Sequence, residues 1–294
     1  MTQNPPGQVF RETSLDPGLH FVATPIGNAR DITLRALDIL ASADVIAAED
    51  TRTARHLMEL HGVPLRGRQM LAYHDHNGAA MRPRILAAIR DGRAVAYASE
   101  AGMPLVADPG YQLARAVIDA GLKVTCAPGP SAALAALALS GLPSDRFLFA
   151  GFPPAAAGAR RKWLAGLADV EATLLIFESP RRIHRMLAES CESFGRDRPA
   201  AVCRELTKRF EEVKRGTLGE LVERLESKTI KGEIVLVVDR PAEVETDSAD
   251  IEAALGEALG EMSLKQAAAA VAERFGASKR DVYQMALALK ERNG

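Results

Sequence analysis

Short apolar runs alternate along the chain with segments whose apolar residues recur at helical spacing, in two successive series. In the first series, residues 19–24, 44–48, 69–73, 94–98 and 123–127 read as strands. Residues 31–41, 51–60, 79–90, 111–120 and 131–139 read as the helices that follow them. Strands and helices taking turns through brief connections predict a mostly parallel sheet covered on both faces. A turn signal, Gly-Leu-Pro-Ser-Asp at 141–145, closes this series. The second series predicts strands at 147–150, 173–177, 199–204, 211–215 and 233–238, and helices at 160–167, 180–190 and 218–227. Alternating charge over 211–217 marks an antiparallel or edge strand, so the second sheet is expected to be mixed.

The fold class expected is α/β, with two α/β domains. The boundaries read as a loose arm over 1–18, an N-terminal domain over 19–144 and a C-terminal domain over 145–240. The acidic, proline-bounded stretch 241–250 reads as a linker, and 251–294 as a helical tail. Within the tail, Ser263 with Gln266 and Ser278 with Asp281 have the spacing of helix starts, and Gly276 lies between them. That pattern resembles helix–turn–helix. Packing on a neighbour or second subunit and contact with nucleic acid both remain open for it.

Composition narrows the classes without choosing one. The 294 residues are 47% hydrophobic and 26% charged, with three cysteines and a net charge of −1. No apolar run reaches the length of a membrane span, and residues 1–18 lack the basic-then-apolar order of a signal peptide. Sparse, unpaired cysteines suit a reducing compartment, so a cytoplasmic location without membrane attachment is expected. Near-neutral charge means that any nucleic-acid site is a local patch.

In an open parallel sheet, ligands collect beyond the carboxyl ends of the strands. The first loop there, from Thr24 to Asp31, carries one glycine and neither a P-loop nor a GxGxxG pattern. The loop from Ser99 to Gly110 has two glycines and two prolines, a long, stiffened path where two to six residues are common. Pro128-Gly-Pro-Ser131 opens the next helix. Pre-shaped, mostly uncharged backbone of this kind suits a flat or zwitterionic cofactor. In 73–77, His74 and His76 flank Asp75, but alternate side chains at a strand end need not converge with a third ligand, so no metal site is read and the segment is a polar loop facing RNA or plain surface. Arg160, Arg161 and Lys162 follow a run of small residues and read as a solvated basic helix start or a flap toward RNA.

The ordered set ATPIGNARDITLRAL, AAEDTR, SEAGMPLVADPGY, PGPSA, LPSDRFLFAGFPP, FESPRR, RELTKRFEEVKRGTLGEL and KGEIVLVV resembles the bacterial small-subunit ribosomal RNA cytidine 2′-O-methyltransferases, a group within the tetrapyrrole (corrin/porphyrin) methylase superfamily. The resemblance runs from Leu19 to Val238 and implies S-adenosylmethionine bound in a cleft between the two domains, usually in a homodimer. It implies ribosomal RNA or an assembled small subunit as substrate. The implied cofactor wall is Pro25, Ser99, Glu100, Ala101, Gly102, Pro104, Val106, Ser131 and Ala132, with Phe177 closing it. Glu100 and Met103 depart from the aspartate and threonine expected there.

Methyl transfer from a sulfonium is an in-line displacement that needs alignment and a base for the ribose hydroxyl. Glu178 and Lys208 are the candidate bases, Lys208 only with a depressed pKa; a structural ion pair with Glu205 is the other reading. Asp50, Arg52, Arg55, His74, Arg181 and Arg204 are the candidate substrate contacts, with Glu49 beside them. Two alternatives stand: the same cofactor with a tetrapyrrole acceptor, or a ribosome-associated binding module without catalysis.

Overall fold

The computed structural model describes residues 9–242, 248–275 and 277–293. It divides into two compact units, Met1–Pro241 and Ala242–Gly294. Residues 1–8 of the expected arm, 243–247 of the expected linker and Gly276 lie outside the described residues.

The larger unit begins with β1 (Gly18–Val22), α1 (Leu34–Ser42), β2 (Val45–Ala48), α2 (Thr51–Leu60) and β3 (Gln69–Ala72). It continues with α3 (Gly78–Arg90), β4 (Ala94–Ala98), α4 (Tyr111–Asp119), β5 (Val124–Ala127) and α5 (Ala132–Ser140). The second series is β6 (Phe147–Gly151), α6 (Ala157–Ala165), β7 (Thr173–Glu178), α7 (Ile183–Phe194), β8 (Pro199–Arg204), β9 (Glu212–Thr217), α8 (Leu218–Leu225) and β10 (Ile234–Val238).

The first sheet has the order β3-β2-β4-β1-β5 and every pairing is parallel. Its strands bury both faces because successive side chains point to opposite sides. Ile46 and Ala48 join Leu37, Leu40 and Met58 in one core, while Val45 and Ala47 join Ile85, Ile89 and Leu113 in the other. The second sheet, β6-β7-β10-β8-β9, is mixed, with β6–β7 parallel and the rest antiparallel. The charged strand β9 lies at its edge, as the alternating charges indicate.

Three expectations change. The first helix starts at Leu34 rather than at 31, because Thr33 caps it by accepting from the Ala36 N–H at 3.1 Å. Residues 29–31 instead form a short 3-10 turn capped by Asn28. The arm is anchored from residue 9 onward: Phe10 is buried in the core against α1 and α2, and the Arg11 and Thr13 amides donate to Asp38 and Ser42.

The third change concerns α5, which reads as a cover for the first sheet. Its nearly continuous apolar sequence suits burial between layers. Ala133, Ala136 and Leu137 pack on Leu175, Ala201, Val235 and Val237 of the second sheet.

The smaller unit contains α9 (Ser248–Glu261), α10 (Leu264–Phe275) and α11 (Lys279–Asn293) around its own core of Leu255, Ala268, Val271, Val282 and Ala286. Ser263 Oγ meets Gln266 at 2.6 Å, and Ser278 Oγ accepts from the Asp281 amide, at the two expected helix starts. No helix among the described residues is long and apolar enough to cross a membrane.

Candidate active site

The loops after β1 and β4 emerge from neighbouring strands and are tied together. The Thr24 and Gly102 amides each donate to the other's carbonyl at 3.0 Å. Ser99 Oγ donates to the Gly102 carbonyl at 2.6 Å, and Thr24 Oγ1 donates to that of Ser99 at 3.1 Å. Gly102 has φ +83°, and a Cβ there would meet Ile26 at 3.2 Å, so the path needs glycine. Leu105 and Ala107 follow with φ +72° and +60°, strain that non-glycine residues tolerate only when the surroundings impose it. Tyr97 Oη donates to the Pro109 carbonyl at 2.9 Å and pins the far end.

The β1 loop also meets the second half of the unit. A Cβ on Gly27 would lie 2.5 Å from Lys208 Cγ and 2.8 Å from Thr207 Oγ1. The Asn28 amide donates to Thr207 Oγ1 at 3.1 Å. Glu205 and Thr207 hold left-handed φ values of +51° and +64° on the opposing loop.

Between these walls lies a cavity of about 360 Å³. Of the residues expected in a cofactor wall, Ala101, Gly102, Val106, Ser131, Ala132 and Phe177 line it. Pro25, Ser99, Glu100 and Pro104 are not in its wall: Ser99 braces the loop from behind, Glu100 is exposed, and Pro104 is buried. Ser131 also caps α5, accepting from the Leu134 amide at 3.5 Å. Residues that the sequence did not single out complete the lining, among them Ile26, Phe152, Leu206 and Val235. Their signal was weak because each looks like an ordinary core residue in its own segment. Met103 reaches the cavity, although it lacks the hydroxyl expected at that position.

Glu178 is buried in the same wall, on the last residue of β7. Its Oε1 accepts from the Ser179 amide at 2.6 Å and Arg182 Nε at 2.7 Å, while Oε2 is buried without a partner. The arginine that meets it is Arg182; Arg181, the residue expected at the site, is exposed.

Lys208 does not fit a base. Lys208 is not in the cavity wall, and its Nζ donates to Glu205 at 3.1 Å and to Glu233, which is a wall residue, at 3.0 Å. Partial burial alone would lower its pKa, but the two carboxylates outweigh burial and raise it above the ordinary lysine value. The expected depression is therefore reversed, and the ion pair with Glu205 is what the structure contains.

The remaining candidates separate. Asp50 caps α2 through the Arg52 amide at 2.7 Å and pairs with the exposed Arg52 side chain at 2.7 Å. Hydrogen bonds from Arg52 bring its pKa down to about 2. Arg55 is exposed on the same helix. Arg204 pairs with Glu212 at 3.3 Å and lines a separate polar groove with Lys214 and Lys231. His74 lines a second cavity, of about 280 Å³, with Arg82, Asp108 and Tyr111.

Asp108 was not singled out in the sequence, yet it belongs to the walls of both cavities, and its Oδ2 is buried without a partner. Burial, then the neighbouring Glu49 and Glu100 charges, push its pKa up to about 7. Glu49 is raised as well, by burial first and then by Glu100 and Asp75, and its Oε2 is also orphaned.

Arg160 corrects another expectation. It is 2% exposed, with its guanidinium on Glu189 at 2.5 and 2.8 Å and on the carbonyls of Pro154 and Ala155, so it anchors α6 rather than forming a mobile basic flap.

Two α/β layers enclosing a cavity at the strand ends of a parallel sheet define a class, and the sequence comparisons agree. The chain belongs to the tetrapyrrole (corrin/porphyrin) methylase family, whose model matches residues 18–222, and it is a methyltransferase. Residues 245–290 match the model of the RsmI C-terminal HTH domain. Among curated relatives, the Ribosomal RNA small subunit methyltransferase I of Mesorhizobium japonicum is 49% identical over 95% of each chain. The protein of that name from Escherichia coli O157:H7 is 40% identical over 92% of this chain and 94% of its own. Solved structures of the same fold include a cobalt precorrin-4 methyltransferase of cobalamin biosynthesis (TM-score 0.56, 18% identity, 81% of this chain and 98% of the other). Diphthine synthase is another, with a TM-score of 0.58 at 18% identity over 75% of this chain and 88% of its own.

Proposed function

We propose that this methyltransferase transfers the methyl group of S-adenosylmethionine to the ribose 2′-hydroxyl of a cytidine in small-subunit ribosomal RNA. The carrying observation is the cavity itself: backbone-rich and apolar on most sides, with two orphaned carboxylate oxygens in its wall, Glu178 Oε2 and Asp108 Oδ2. A compact cationic ligand with an apolar body matches that lining, because its charge supplies the missing partner. S-adenosylmethionine has this character, so the residues fit the donor. Ala101, Gly102, Val106, Ser131, Ala132 and Phe177 would hold it, with Glu178 facing its positive charge. The donor supplies an activated methyl group for in-line displacement, which requires no metal.

The names of the relatives support ribosomal RNA as the acceptor class. The exposed Arg52, Arg55 and Arg181 side chains are suited to phosphates, and the three-helix unit adds Lys279, Arg280 and Lys290. Such contacts position RNA without reading its bases. The reading includes action in the cytoplasm and a homodimer, the latter checked by light scattering.

The test incubates purified protein with S-adenosylmethionine carrying a labelled methyl group, and with free small-subunit ribosomal RNA or assembled subunits from cells lacking the protein. One labelled ribose methyl on a cytidine is expected, from chelator-treated enzyme too, with RNA affinity falling steeply as salt rises. Label on a base, or on no RNA, refutes the assignment.

A further inference from the structure

We infer that the second cavity receives the acceptor nucleoside and that Asp108, in the partition between the two cavities, is the base that takes the proton from its hydroxyl. This rests on the reading of the first cavity as the donor site.

For methyl transfer, the donor carbon and the acceptor oxygen must come within near-attack distance, so the two ligands must meet where their sites adjoin. The two cavities share only Ala107 and Asp108 in their walls, and Asp108 is the titratable one. Its Oδ2 is buried and unpartnered, the condition of an acceptor awaiting a donor such as a hydroxyl. The segment is held in an uncommon conformation by Tyr97 at Pro109 and by left-handed Leu105 and Ala107, which aims this side chain.

The second cavity has the chemistry of a nucleotide subsite. Arg82 is suited to a phosphate contact, Tyr111 is 65% exposed and supplies an aromatic ring of the kind on which bases stack, and His74 Nδ1 is buried without a partner. The charged and titratable groups around Asp108 come from several elements: Glu49 after β2, His74 and Asp75 after β3, Arg82 on α3, Glu100 after β4 and Glu178 across the first cavity. Burial and the neighbouring Glu49 and Glu100 charges place its titration at about 7, where a base is effective at neutral pH. In the step itself, the hydroxyl proton passes to Asp108 Oδ2 as the oxygen's electron pair forms the bond to the methyl carbon. The C–S bonding pair leaves with sulfur, giving a neutral thioether.

The experiment measures single-turnover methyl transfer to small-subunit RNA at saturating donor across pH 5.5–9, for the wild-type chain and Asp108→Asn. Calorimetric titration with S-adenosylmethionine and thermal melting accompany each protein. The wild-type rate is expected to rise through an apparent pKa near 7. Asp108→Asn is expected to lose that limb and about 10²- to 10⁴-fold in rate while binding donor within about threefold of wild type. Arg82→Ala with Tyr111→Ala is expected to raise the KM for RNA about tenfold with donor affinity unchanged.

A wild-type rate, an unaltered pH limb or lost donor binding in Asp108→Asn overturns the assignment of the base. An unchanged KM in the double variant overturns the placement of the acceptor. If Asp108→Asn does not fold, the wild-type profile still decides, since a flat rate across pH 7 excludes this base. If the wild-type protein labels no RNA ribose, the underlying reading has failed and takes this inference with it; labelling by both proteins at the same rate leaves that reading standing and rejects the inference alone.

Discussion

The carboxylates at the rim of the parallel sheet and those on the mixed sheet are the same residue types in opposite states. At the rim, Glu49 and Asp108 each keep a buried oxygen without a partner, and burial raises both pKa values, aided by Glu100 and Asp75 for Glu49 and by Glu49 and Glu100 for Asp108. On and around the mixed sheet, Glu189 of α7, Glu205 after β8 and Glu212 of β9 meet Arg160, Lys208 and Lys214, and all three are lowered. For Glu189 and Glu212 the largest cause is the hydrogen bond to the cation; for Glu205 it is the Glu233 backbone amide. A satisfied charge holds a structure together, whereas an unsatisfied one keeps capacity for a ligand. Glu178 has one oxygen of each kind, and it sits where the mixed sheet reaches the cavity.

This contrast can be broken most severely at Arg160. Arg160→Ala leaves Glu189 without its guanidinium and is expected to cost about 3–5 kcal/mol in denaturant unfolding. A loss below about 1 kcal/mol would mean that the pair contributes little to the fold. Next comes Glu178→Gln, which keeps the acceptor for Arg182 but removes the charge facing the cavity. Donor affinity is expected to fall about 10- to 100-fold, the scale of one hydrogen bond to a charged group, with melting temperature nearly unchanged. Unaltered calorimetric affinity would separate Glu178 from the donor.

A smaller effect tests the rim through pH. Folded Asp108 keeps its proton up to about 7, while the unfolded chain releases it near the ordinary 3.8. The unfolded state thus binds fewer protons between these values, and stability falls as pH rises through that window. Asp108→Asn cannot ionise, so it is expected to melt a few degrees higher at pH 8, with the gain shrinking toward pH 4. The same gain at both pH values would show that ionisation is not its source. Glu189 has the opposite sign: its contribution is present above the ordinary carboxylate value and is lost as pH falls.

The smallest change is expected at Lys208. Lys208→Met should leave the single-turnover rate within about twofold and cost about 1 kcal/mol or less in stability, the range of a partly exposed ion pair. A hundredfold slower rate would return Lys208 to the chemistry.

The site was only partly legible in the sequence, for reasons visible residue by residue. Gly102 stood out because a loop dense in glycine and proline has few uses, and Glu178 because FESPRR ends a strand. Asp108 lay in the same conspicuous loop, but nothing in the string separates its carboxylate from the exposed Asp75. The pairing of Lys208 with nearby Glu205 was open in the sequence, but its second carboxylate, Glu233, and the Glu189 that holds Arg160 are distant in the chain.

The amino-acid sequence by itself determined the alternation of strand and helix, the parallel and mixed character of the two sheets, and the stiff loops at the strand ends. These follow from local periodicity, backbone propensity and the permissive or restrictive φ of glycine and proline. Only the tertiary structure decided that α5 covers the second sheet, that Phe10 anchors the arm, and which charges find partners. Those outcomes depend on groups far apart in the chain meeting in a low-dielectric interior, where one neighbour determines whether a carboxylate is a strut or an open site.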